Sequence, residues 1–137
     1  MGKAPLAAIV DDDESVRIAT KSLLSSLGWR VHTFASAEEF LHSPSVNDTS
    51  CLIVDMQMPG MNGIELQQAL RNGGYTTPIV FITAFPDERI AARALRAGAL
   101  DFLTKPFDEK SLIECLKTAL QRKLGHLCFD RHPLVPD

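Results

Sequence analysis

Five polar residues stand behind short apolar runs. Asp11 and Asp12 follow residues 6–10, Asp55 follows 52–54, Thr83 follows 78–82, and Lys105 comes just after 100–103. Three carboxylates held close repel one another, and a divalent cation removes that cost. Oxygen donors without a thiolate or a paired His suit a hard ion, and Mg²⁺ binds through one or two carboxylates, water and phosphate. A cation, an ammonium and a hydroxyl are the groups that a transferring phosphoryl needs. One carboxylate can then be the nucleophile and form an acyl phosphate. Asp55 is the candidate, since it stands alone on a central run with the acid pair and Lys105 beside it.

These groups meet only if the runs are strands of one sheet. Residues 6–10, 52–54 and 78–82 are Ile- and Val-rich runs of the kind buried on both faces. Residues 29–34 alternate polar with apolar and predict a more exposed strand, and 100–103 predicts a short one. Between them lie predicted helices over 15–27, 36–41, 64–71, 86–97 and 108–123. Their inner faces include Val16, Ala19, Leu23, Leu24 and Leu27 in the first, and Ile90, Ala91, Ala94 and Leu95 in the fourth. Asp13 suits a helix cap, Ser36 with Glu39 has capping-box spacing, Pro86 suits a first turn, and Gly28 and Gly98 suit helix ends. Residues 43–50 read as a loop. Strands alternating with helices predict an α/β fold with a doubly wound five-stranded parallel sheet, and right-handed crossovers bring all five strand ends to one edge. Ligands bind at that edge in open α/β sheets.

Composition narrows the class. With 137 residues, one domain with a sizeable core is expected. A net charge of -3 is not the global basic charge of a domain that grips nucleic acid. No apolar run approaches bilayer length and the N-terminus lacks a signal-peptide pattern, so the expected location is cytoplasmic, with no membrane partner. Cys51, Cys115 and Cys128 are odd in number and widely spaced, as reduced thiols are. Arg89, Arg93 and Arg96 mark a solvated helix face, with partner docking the lesser reading. His32 and His42 read as surface residues. His126, Cys128 and His132 make a poor metal set in a Pro-bearing tail expected to be loop.

With these residues in place, the chain from about residue 4 to residue 123 resembles the receiver domain of two-component response regulators, leaving 124–137 as a tail or the start of a linker. The resemblance rests on Val10-Asp11-Asp12, Asp55 with Met58-Pro59 and Gly63, Thr83-Ala84, Ala97-Gly98-Ala99 before Phe102, and Lys105-Pro106-Phe107. It is most similar to the FixJ-type branch, through residues 12–17 and 34–41. The resemblance implies the (βα)5 flavodoxin-like receiver fold and a phosphorylation-activated switch rather than a turnover enzyme. It implies that Asp55 accepts a phosphoryl group from a histidine kinase, and that Asp11, Asp12, Asp55 and the Gln57 backbone carbonyl hold Mg²⁺. It further implies that Thr83 swings toward the phosphoryl, Ala84 leaves room, Phe102 rotates inward, and Lys105 pairs with a phosphoryl oxygen. The Lys105–Pro106 peptide is a cis candidate. Gln57 departs from the residues more frequent at its position and could alter the rate of acyl phosphate hydrolysis.

Two rival readings remain. Asp11-x-Asp13-x-Ser15 fits the nucleophile motif of haloacid-dehalogenase-type phosphatases, but that motif needs a late acidic pair and leaves Asp55 unexplained. A receiver-like interaction module without phosphorylation would not need all five groups. Phosphorylation-dependent homodimerisation is expected through residues 86–97, Phe102 and the last helix. FixJ-type proteins usually carry a DNA-binding output domain after the receiver, so the chain reads as either a stand-alone receiver or part of a longer regulator.

Overall fold

The computed structural model describes the backbone of residues 4–128 and the side chains of residues 4–122. Five strands, β1 (Leu6–Val10), β2 (Arg30–Phe34), β3 (Cys51–Asp55), β4 (Ile79–Thr83) and β5 (Asp101–Thr104), form one sheet in the order β2-β1-β3-β4-β5. Every neighbouring pair is parallel. Each of β1, β3 and β4 is buried along its whole length, which is why they read as unbroken apolar runs. The edge strands β2 and β5 are only partly covered.

Alternate residues of each strand serve opposite faces. Ala8, Val10, Leu52, Val54 and Phe81 meet Phe40, Leu66, Leu70 and Ala94 on one face. Ala7, Ile9, Ile53, Val80 and Ile82 meet Leu24, Leu112, Leu116 and Ala119 on the other. Thus α2 (Ala37–Leu41), α3 (Gly63–Asn72) and α4 (Glu88–Arg96) cover one face, and α1 (Glu14–Ser26) and α5 (Glu109–Cys128) cover the other. Phe81 is wholly buried, a burial worth about 1.5–3 kcal/mol.

Several local expectations need correction. Pro86 precedes α4 rather than opening it, because the Asp87 side chain accepts from the Arg89 and Ile90 amides and takes the cap. Leu95 and Leu27 are each 45% exposed and Ala19 is also exposed, while Thr20 and Gln67 are buried. A 3₁₀ turn (Pro44–Asn47) interrupts the expected loop 43–50. The last helix runs to Cys128, past the expected end at Lys123, so the start of the expected loop tail is helical. The side chains of His126 and Cys128, and all of His132, lie outside the described residues. Ser36 accepts from the Glu39 amide as expected, but Glu39 reaches back to Ala35, so the box is offset. The complete capping box is at Asn62 and Glu65.

Candidate functional site

Between β1 and β3 the chain's progress across the sheet reverses, and at the carboxyl edge of such a switch point open α/β sheets form a ligand crevice. Asp11 follows β1 and Asp55 ends β3, and they are 2% and 6% exposed. One Asp11 oxygen accepts from the Asp13 amide at 2.9 Å and the other faces Lys105 Nζ at 3.2 Å. Arg17 reaches back from α1 to the Asp11 carbonyl oxygen at 2.6 Å. The acidic run therefore divides its work. Asp13 caps α1 through the Ser15 and Val16 amides, which leaves Asp11 and Asp12 to the crevice.

Carboxylate oxygens of Asp11, Asp12 and Asp55 lie within 4.8 Å of one another, two of them on buried residues and Asp12 exposed. Asp55 Oδ1 accepts from the Gln57 amide at 3.3 Å and stands 3.7 Å from Lys105 Nζ. Both of these contacts fall on Oδ1, and among the described residues no donor is seen at Oδ2. Burial, then the Asp11 charge, push the Asp55 carboxyl up to about 6, and Lys105 and the Gln57 amide work against that rise. Among the described residues Lys105 is the one cation paired with these carboxylates. Three carboxylates against one ammonium leave excess negative charge on hard oxygen donors. That donor set fits a divalent cation.

The other strand ends close the site. Thr83 ends β4, is wholly buried, and accepts from the Phe85 amide at 3.0 Å. Its hydroxyl donates to Gln57 Oε1 at 2.7 Å. Ala84, next in the chain, is exposed. Phe102 on β5 is half-buried against Phe81, with ring centroids 6.1 Å apart. The Lys105 amide donates to the Thr83 carbonyl at 2.7 Å, which pins the base of the lysine, and the Lys105–Pro106 peptide is cis. All five predicted groups thus reach one edge, with Thr83 engaged by Gln57.

Two participants were not legible as such. The loop from β3 to α3 is held by Met56 on the Ile82 carbonyl, by Gly63 on the Met56 carbonyl, and by the Met61 amide on Glu38 of α2. No local pattern announces Glu38, since it acts across 23 residues of chain. The Gln57 side chain meets Thr83 only because Asp55 pairs with Ile82 in the sheet, so both loops leave side by side.

A doubly wound α/β domain with an acidic crevice, a lysine and a buried threonine at its switch point defines the class of phosphoryl-responsive receivers. The response regulator receiver domain family matches residues 7–117, and the chain belongs to that family. Response regulator protein TmoT of Ectopseudomonas mendocina is 44% identical over 113 residues, covering 82% of this chain and 51% of that protein. Transcriptional regulatory protein FixJ of Azorhizobium caulinodans is 36% identical over 114 residues, covering 83% of this chain and 54% of FixJ. The solved structure of response regulator StyR superposes with a TM-score of 0.82 at 42% identity, covering 93% of this chain and 67% of that one. For the FixJ-N crystal structure the TM-score is 0.76 at 35% identity, with 86% and 94% covered. The chain spans about half the length of the curated relatives it matches. It is a signalling domain of phosphorylation-dependent two-component systems, not a classical enzyme. Receivers bind a divalent cation in an acidic pocket and work with histidine kinases and output domains. Among the described residues no helix is long and apolar enough to cross a membrane.

Proposed function

We propose that Asp55 is the phosphoacceptor and that this domain is the switch of a cytoplasmic phosphorelay. The observation that carries the reading is the state of the three carboxylates. Both Asp11 oxygens are engaged and Asp12 is exposed, whereas the contacts of buried Asp55 with described donors both fall on Oδ1, leaving Oδ2 without a donor among the described residues. With its carboxyl at about 6, Asp55 is ionised at neutral pH and can attack. An Asp55 oxygen bonds to phosphorus as the N–P bond of a kinase phosphohistidine breaks, and that bonding pair returns to the imidazole nitrogen. Lys105 leaves Asp11 to pair with a phosphoryl oxygen, and the Thr83 hydroxyl donates to another. Asp11, Asp12, Asp55 and the Gln57 backbone carbonyl would hold Mg²⁺, which supplies neutralisation of developing charge when bound. Ala84 offers no bulk where the phosphoryl arrives, and Phe102 turns inward.

The test is Mg²⁺-dependent labelling by a small phosphodonor. Asp55→Asn is expected to lose the label, and Asp12→Ala to need more Mg²⁺ for the same yield. Label that persists in Asp55→Asn but disappears in Asp11→Asn would instead support the phosphatase-type motif at the first strand. No label on any residue would leave a pure interaction module.

Downstream, the relatives named as transcriptional regulators support an output through DNA-binding sequence outside this receiver. Dimerisation is proposed through α4, Phe102 and α5, since Leu95 is 45% exposed on α4 and Phe85, which precedes it, is 73% exposed. Sedimentation should show dimers with beryllofluoride and Mg²⁺, and an unchanged monomer would sink the idea.

A further inference from the structure

We infer that Gln57 is a latch that holds Thr83 away from the phosphoacceptor in the resting state, and so sets the ease with which the switch turns on. The inference rests on Asp55 being the phosphoacceptor. A threonine hydroxyl has one hydrogen to give. Here it goes to Gln57 Oε1 at 2.7 Å, while the oxygen accepts from the Phe85 amide. The hydrogen cannot serve Gln57 and a phosphoryl oxygen together. Thr83 is wholly buried, so water does not offer a substitute acceptor at no cost. Gln57 is exposed and its own backbone amide faces Asp55, so the acceptor sits on the same loop as the phosphorylation chemistry. Turning the switch on therefore exchanges one hydrogen bond for another. Gln57 is a positioning residue in this exchange, distinct from the expected role of its backbone carbonyl toward the cation.

The test uses the full chain. In the unphosphorylated protein, three-bond couplings at Thr83 should report one side-chain rotamer. Gln57→Met, of similar length without an acceptor, should give averaged rotamers, and Gln57→Glu, which keeps an acceptor oxygen, should restore the single one. With Mg²⁺ present, Gln57→Met should lower the beryllofluoride midpoint by roughly threefold to tenfold, the range of one net hydrogen bond. That gain should vanish when Thr83→Ala is the background. An unchanged Thr83 rotamer in Gln57→Met, or a gain that survives in Thr83→Ala, overturns the latch. Beryllofluoride that fails to bind the wild-type chain overturns the phosphoacceptor reading instead, and the resting rotamers still decide the latch.

Discussion

Lys105 Nζ stands 3.2 Å from Asp11 Oδ2, nearer than its 3.7 Å approach to Asp55. The resting lysine is thus held mainly by the carboxylate that is already committed to the β1–α1 turn. Asp55 receives the weaker share of its charge. A phosphoryl group on Asp55 would compete with Asp11 for this ammonium.

Removing that ammonium should expose how much it does for Asp55. Lys105→Met takes away a charge that holds the Asp55 carboxyl down against burial and Asp11. Carboxyl carbon shifts followed by NMR should show Asp55 titrating well above its wild-type value of about 6. A titration unmoved by the substitution would mean that Lys105 is not its counterion.

The same carboxyl sets a pH dependence of stability. Its folded pKa of about 6 lies above the ordinary 3.8, so the folded chain binds this proton more tightly than the unfolded chain. The contribution is fully present below about pH 4 and is lost as pH rises through 6. Asp55→Asn carries no such loss. Without metal, it should therefore be more stable than wild type by roughly 1–2 kcal/mol above pH 7, with solvent at the crevice mouth reducing the full effect. Urea melts should show the gap closing near pH 4, and a gap independent of pH would contradict the assignment.

Gly63 is a steric requirement at the start of α3. A Cβ there would meet Phe81 Cε1 at 3.0 Å and Met56 Cα at 3.2 Å, a buried ring and a backbone atom that cannot simply turn aside. Gly63→Ala should cost about 1–3 kcal/mol in urea denaturation. It should also weaken Mg²⁺ binding, because Met56 opens the loop that carries Gln57. Wild-type stability in the variant would show that the loop yields freely.

The central strands were legible because burial on both faces leaves a run such as 79–82 without polar interruptions. Asp13 and Ser36 were legible as caps because capping is local. Asp87 was hidden by Pro86, whose fixed backbone suits a first helical turn equally well. Leu95 was misplaced because periodicity finds an apolar stripe without showing how much of it the sheet covers. The polar groups of the site were legible as strand ends. The contact of Gln57 with Thr83 was not, since it spans 26 residues and depends on which strands adjoin.

The strand order also imposes a sequence in time. Asp11 follows β1 and Asp55 ends the adjoining β3, while Lys105 follows β5, the last of the five strands in chain order and an edge of the sheet. A nascent chain that has emerged only through β4 lacks the cation that pairs with these carboxylates, and domains fold as units. The set of groups proposed for phosphoryl chemistry is therefore complete only once β5 and the lysine behind it have joined the sheet.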